Sequence, residues 1–249
     1  MMRQLLALLV SLWLGLSPAL ANNLVINPYA FGALTLSQLT TATSTSSSIT
    51  VPASVQQGDL LVLADWADND DGTTIPTDVV PSGWTGVAEE GASSNVVDPY
   101  AARFRLSAKI AGPSDASASV TGMNDDQELK IIVVFRPSRA LASISPLGAV
   151  GVMSGESNPS GDDIAALGGS APLVVIGAFA ALGSAGAPNL SSRSLSASDG
   201  EQTAVIVAET APRMYLAWKI YNTAPANVSI DIGDEGFLNT YAGAYIEAD

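Results

Sequence analysis

Cysteine and histidine are both absent from this 249-residue sequence. Their absence excludes disulfides, zinc sites of the Cys/His type, histidine-ligated haem, thiol nucleophiles and histidine-dependent catalytic triads. No G-x-S-x-G nucleophile elbow and no glycine-rich phosphate loop with its lysine occur either. A hydrolase with two carboxylates is the enzymatic alternative, but the neighbours Glu89 and Glu90 would point to opposite faces of a strand. We therefore predict a protein that is not an enzyme.

Positive charge is also scarce. Ten Lys and Arg stand against 24 Asp and Glu, which gives a formal net charge of −14. Such a chain repels nucleic-acid phosphates and anionic lipids, so we predict no nucleic-acid partner. An acidic surface does attract divalent cations.

The apolar run nearest to membrane length lies at the N-terminus. Arg3 precedes the run Leu5 to Leu16, and an A-x-A pattern ends at Ala21. These three features in this order are typical of a secretory signal peptide. We predict a signal peptide over 1–21 and a secreted, extracellular or periplasmic protein that has no membrane partner after cleavage.

The remaining sequence predicts many short strands and no long helix. Residues 100–111 alternate between apolar and polar side chains, which indicates a strand with one wet face, and 129–135 is a β-branched run typical of a central strand. Turn signals separate these segments, and no segment has helical periodicity. We predict an all-β fold, an antiparallel, jelly-roll-like β-sandwich, with an N-terminal arm and edge strand over 22–48 and one sandwich domain over 49–249.

Two segments are echoed later in the chain. Residues 105–120 align with 215–230, with Leu106, Lys109 and Ile110 matching Leu216, Lys219 and Ile220. Residues 60–63 similarly resemble 173–176. The echo has two interpretations, a duplication into two similar halves or the shared patterning of unrelated strand–turn–strand units. From the sequence we favour shared patterning, with duplication as the alternative.

Three stretches together carry a resemblance to a known group of proteins. They are V-P-A-S-V-Q-Q-G-D-L-L-V-L (51–63), P-S-G-W-T (81–85) and A-K-I-A-G-P-S-D-A-S (108–117). In this combination they resemble a loose family of phage-associated β-sandwich structural proteins of the virion and tail region, and N-P-Y-A-F-G (27–32) is similar to the start of such proteins. The resemblance implies a structural role, a virion location as the alternative to secretion, and partners that are copies of the chain or other virion or surface proteins. It implies no catalytic residues.

An acidic segment and three aromatic residues are the candidate binding sites. Residues 65–74 are predicted to form an acidic loop in which Asp65, Asp68, Asp70 and Asp71 could bind Ca²⁺, although the glutamate of an EF-hand is missing. Solvated acidic turns are the alternative. Trp66, Trp84 and Tyr100 could stack on sugar rings, or could fill the core. The sequence thus predicts a structural or surface-recognition protein, or alternatively a calcium-assisted carbohydrate-binding module.

Overall fold

The computed structural model describes residues 34–69, 73–94, 100–154, 173–181, 203–207, 213–221 and 239–248. The chain divides into two compact units, Met1–Ala33 and Leu34–Asp249, and every described residue belongs to the second. The predicted signal peptide therefore lies outside the described residues. Every secondary-structure element within the described ranges is a β-strand, and the strands pair antiparallel. The part of the chain that is described contains no helix long and apolar enough to cross a membrane.

The first five-stranded sheet is built from residues 36–137, in the order β1-β7-β3-β5-β4. Its strands are β1 (Leu36–Ser44), β3 (Leu60–Asn69), β4 (Thr85–Ser94), β5 (Tyr100–Ile110) and β7 (Gln127–Pro137). The threonine-rich β1 is an edge strand, as its composition predicts. The β-branched β7 lies inside the sheet, between β1 and β3.

The second five-stranded sheet is built from strands within residues 144–248, in the order β10-β11-β9-β12-β8. Its strands are β8 (Ile144–Ser154), β9 (Leu173–Ala181), β10 (Thr203–Val207), β11 (Arg213–Tyr221) and β12 (Asn239–Ala248). Among the described strands, the chain crosses from one five-stranded sheet to the other once, between β7 and β8. Each sheet is therefore the product of one half of the sequence.

The two sheets pack face to face around one apolar core, which confirms the predicted antiparallel β-sandwich. Alternate residues of β3, β5 and β7 point into this core, where they meet residues of β9, β11 and β12. Strand β5 lies over β12 and β7 lies over β11. The buried residues at the centre are Leu60, Val62, Trp66, Phe104, Leu106, Ile131, Val133, Phe135, Val174, Met214, Leu216, Trp218 and Ile246.

A second apolar cluster covers the outer face of the first sheet. A small two-stranded sheet of β2 (Ser48–Thr50) and β6 (Ser119–Thr121) contributes Ile49 and Val120 to it. Leu61, Leu63 and Trp84 pack against these residues. On the same outer face, Arg105 and Ser107 of β5 are buried, at 6% and 0% exposure. The predicted alternation of β5 is confirmed, but its polar face is only partly exposed to solvent, since Arg105 and Ser107 are buried while Arg103 and Lys109 keep about a fifth of their side-chain surface exposed.

The two sheets have the same topology. Counted along the chain, the first strand of each sheet pairs with the fifth, the fifth with the second, the second with the fourth and the fourth with the third. The register agrees as well, since Leu60 faces Ile110 and Phe135 in the first sheet, while Val174 faces Ile220 and Ile246 in the second. This agreement supports duplication rather than shared patterning.

A β-bulge occurs at the same place in both halves. The pairing of β1 with β7 skips Leu39, between the pairs Gln38–Phe135 and Thr40–Val134. The pairing of β8 with β12 skips Leu147, between Pro146–Ile246 and Gly148–Tyr245. Bulges are retained features of a fold rather than random irregularities. The flanking sequences also match, L-S-Q-L at 36–39 and I-S-P-L at 144–147.

The sequence echo falls on equivalent strands. Residues 105–110 lie in β5 and 215–220 in β11, the fourth strand of each sheet, and Lys109 is equivalent to Lys219 by register. The other echo joins the second strands, β3 and β9, but it is shifted by one residue. By register Leu60 is equivalent to Val174, not to Leu173. A shift of one residue would exchange the two faces of a strand, so only the structural register keeps both residues in the core.

Candidate functional site

The candidate site is a pocket beside Trp84, on the outer side of the first sheet. The turn Pro81–Trp84 presents the indole, and its Trp84 N–H donates to the Pro81 carbonyl at 3.0 Å. Gly83 has φ +78°, the positive value that the third residue of a type II turn requires. The P-S-G-W sequence thus encodes the turn that sets the indole against the outer cluster.

The pocket has a volume of about 300 Å³, at the lower end of the range of about 300–1,000 Å³ seen for small-molecule sites. Its walls combine the indole, one ion pair and several hydroxyl groups. The lining residues are Val51, Leu61, Pro81, Ser82, Trp84, Lys109, Asp115, Ala118, Ser119, Val120 and Thr121.

An ion pair is the polar centre of this pocket. Lys109 Nζ lies 2.8 Å from Asp115 Oδ1, and the Gly112 N–H donates to Asp115 Oδ2 at 2.6 Å. Burial alone would raise the pKa of Asp115, but the hydrogen bonds from Lys109 and Gly112 outweigh it, and the pKa lies below its usual value. The carboxylate therefore stays ionised and held in place, while both side chains keep some solvent exposure (21% and 15%).

The wall next to Asp115 is a turn with one strained residue. Ser117 has φ +62°, in the left-handed region that a residue with a side chain seldom adopts. Two backbone hydrogen bonds hold the turn, from Ser117 N–H to the Val51 carbonyl at 3.1 Å and from Ala118 N–H to the Asp115 carbonyl at 3.0 Å. Such strain costs about 1–3 kcal/mol and is often found at binding sites.

The arrangement can bind a small neutral molecule that has one apolar face. Trp84, at 9% exposure, offers apolar surface in the pocket wall, while Lys109 offers donors and Asp115 offers acceptors on a fixed carboxylate. Sequence patterning identified Trp84 and the Gly112–Asp115 turn but did not join them. The pairing of Lys109 with Asp115 across six residues depends on the end of β5 and the turn after it.

The predicted acidic loop has a different structure at its start. Strand β3 continues through Asp65 and Asp68 to Asn69, so these residues are strand rather than loop. Because alternate residues of a strand point to opposite faces, Asp65 and Asp68 do not share a face. Both are buried, at 1% and 0% exposure. The other two predicted calcium ligands, Asp70 and Asp71, lie outside the described residues.

No group of three or more acidic residues that could hold a metal ion occurs within the described ranges. Asp65 is instead hydrogen bonded by Lys130 Nζ at 2.6 Å and by the Met123 N–H at 2.8 Å. The calcium site stays a prediction.

The three predicted aromatic ligands have separate positions. Trp66 lies in the core between the sheets, with 1% exposure, where no sugar ring can reach it. Tyr100 is the first residue of β5 and pairs with Ser94 of β4. Trp84 lines the pocket, so of the three it is the residue that the structure places at a candidate site.

No protein-family model, curated protein or solved structure matches this chain. The resemblance to phage-associated β-sandwich proteins therefore remains a prediction.

Proposed function

We propose that this protein is a non-enzymatic surface-recognition protein that binds one sugar unit of a glycan in the Trp84 pocket. The observation that carries the proposal is the combination of Trp84 with the Lys109–Asp115 ion pair in a single cavity of about 300 Å³. Sugars have an apolar C–H face that stacks on indole rings, and vicinal hydroxyl groups that need donors and acceptors together. The serine and threonine hydroxyls of the lining add further partners of both kinds.

The charge of the pocket supports a neutral ligand. Lys109 and Asp115 compensate each other, so the pocket has no excess charge to attract an ion. The chain as a whole has a net charge of −14, which disfavours phosphorylated or sulfated ligands. We therefore expect neutral hexoses or pentoses, bound free or at the end of a polysaccharide.

Binding is tested on the full chain with a panel of neutral monosaccharides and soluble polysaccharides, by NMR saturation transfer and calorimetry. Asp115→Asn should weaken binding by about tenfold or more, since a hydrogen bond to a charged acceptor contributes about 1.5–3 kcal/mol. Trp84→Leu should weaken binding by about tenfold or more as well, because the aromatic ring is lost. Glu89→Gln is the matched control because Glu89 also forms an ion pair, with Arg103, but does not line the pocket. Equal affinity of Asp115→Asn and Glu89→Gln would contradict the proposal.

Calcium dependence is a separate arm of the same experiment. If the acidic segment binds Ca²⁺ as the sequence predicts, adding calcium raises the melting temperature, and chelation lowers it. An unchanged melting temperature with intact sugar binding would reject the calcium prediction and keep the pocket. Loss of sugar binding on chelation would instead support a calcium-assisted module.

A further inference from the structure

Lys130 of β7 and Asp65 of β3 form a buried ion pair. The two residues face each other across adjacent strands, and their exposures are 0% and 1%. Lys130 Nζ lies 2.6 Å from Asp65 Oδ1. This contact is independent of the Trp84 pocket, which neither residue lines.

The backbone of Met123 binds both partners at once. Lys130 Nζ donates to the Met123 carbonyl at 2.8 Å, and the Met123 N–H donates to Asp65 Oδ2 at 2.8 Å. The preceding residue is Gly122, and a Cβ there would lie 2.0 Å from Asp65 Oδ2. The absence of a side chain at 122 therefore lets the backbone come close enough to hold the amine and the carboxyl against each other.

The fold does not require an ion pair at this position. By register, Asp65 is equivalent to Phe179 and Lys130 to Tyr241, and Phe179 and Tyr241 are backbone partners in the second sheet. The second half has two aromatic residues where the first half has an acid and an amine. Two buried charges are costly to desolvate, and apolar replacements are often as stable. Packing alone thus gives no reason for the Lys130–Asp65 pair.

We propose that Lys130 and Asp65 condense to an isopeptide bond that cross-links β7 to β3. The product would suit the site better than the ion pair does. A single neutral amide replaces two buried charges, its N–H donates to the Met123 carbonyl, and its oxygen accepts from the Met123 N–H. Every polar group of the cross-link would then have a partner.

The condensation needs no co-reactant. A proton passes from the ammonium to Asp65 Oδ1 along their hydrogen bond, which leaves a neutral amine and a neutral acid. The Nζ lone pair attacks Cγ, and negative charge develops on Oδ2, where the Met123 N–H stabilises it. The C–Oδ1 bond breaks, and Oδ1 leaves as water with a second proton from nitrogen. Burial favours the neutral acid because it raises the pKa of Asp65, against the lowering effect of Lys130.

Mass spectrometry of the purified full chain tests this proposal. The intact mass should be lower by one water relative to Lys130→Gln after correction for the substitution, a comparison in which any N-terminal processing cancels. Digestion with two proteases should give a branched peptide that joins Asp65 to Lys130. Lys109–Asp115 is the matched control, since its 2.8 Å contact is solvent-accessible and should stay unlinked.

Two results would overturn the proposal. One is wild-type peptides in which Lys130 and Asp65 are both unmodified after prolonged incubation of the folded protein. The other is a water loss that persists in Lys130→Gln, which would place the dehydration elsewhere. Because the wild-type peptide map decides by itself, the test does not depend on the variant folding.

Discussion

At some positions of this protein, a close approach of the backbone to a side chain decides which residue type can be accommodated. Gly122 is the clearest case, since its ideal Cβ would lie 2.0 Å from Oδ2 and 2.8 Å from Cγ of Asp65. Asp65 cannot move aside, because Lys130 and the Met123 N–H hold both of its oxygens. The position therefore requires glycine for space rather than for backbone conformation.

We predict that Gly122→Ala lowers the free energy of unfolding by about 2–3 kcal/mol, as overpacking of a closed site does. The matched control is Gly112→Ala, whose Cβ would meet Asp115 Oδ2 at an ordinary 3.5 Å. That control should change stability by less than about 1 kcal/mol. Denaturant titration of both variants checks the prediction, and equal losses would show that the close approach to Asp65 is not what restricts position 122.

At the scale of elements, the turn after β5 makes a contribution to folding stability that depends on pH, through Asp115. Asp115 accepts hydrogen bonds from the Gly112 N–H and from Lys109, and these outweigh burial so that its pKa lies below the usual 3.8. A carboxyl with a lower pKa in the folded state adds stability that is fully present above its unfolded pKa. That stability is lost as pH falls through the folded pKa.

We therefore predict that Asp115→Asn costs about 1 kcal/mol at neutral pH. The difference from wild type should stay constant down to about pH 5 and shrink below about pH 4. Unfolding curves from pH 7 to pH 2.5 measure this difference. A difference that grows as pH falls would mean that the Asp115 pKa is raised rather than lowered.

The sequence predicted the strands in which one hydrophobic pattern continues along the whole strand. Strands β5 and β7 were found because alternation and β-branched runs persist from end to end. The end of β3 was predicted as a loop because Asp65 and Asp68 read as solvated, and no local signal shows that Lys130, 65 residues away, neutralises Asp65. The pocket was missed for the same reason. Its Trp84 turn was predicted, but the pairing with Lys109 and Asp115 is tertiary.

At the scale of the whole molecule, the two similar halves are joined through the core between the sheets. Phe135 of the first sheet and Trp218 of the second meet edge to face, with ring centroids 6.2 Å apart and an interplanar angle of 83°. Both rings are buried, at 0% and 2% exposure. Among the described residues, the inner face of each sheet packs against the other sheet, so we expect neither half to be stable without its partner.

This dependence predicts that a cavity at Trp218 weakens both sheets. Trp218→Leu should cost about 2–4 kcal/mol, because a large buried side chain is lost and the site cannot fully collapse. Unfolding should remain one cooperative transition. Hydrogen exchange should therefore quicken in β3 and β7 of the first sheet as much as in β9 and β11 of the second. Trp84→Leu is the matched control, since Trp84 belongs to the outer cluster and not to the core between the sheets. Faster exchange confined to β9 and β11 in Trp218→Leu would show that the halves unfold independently.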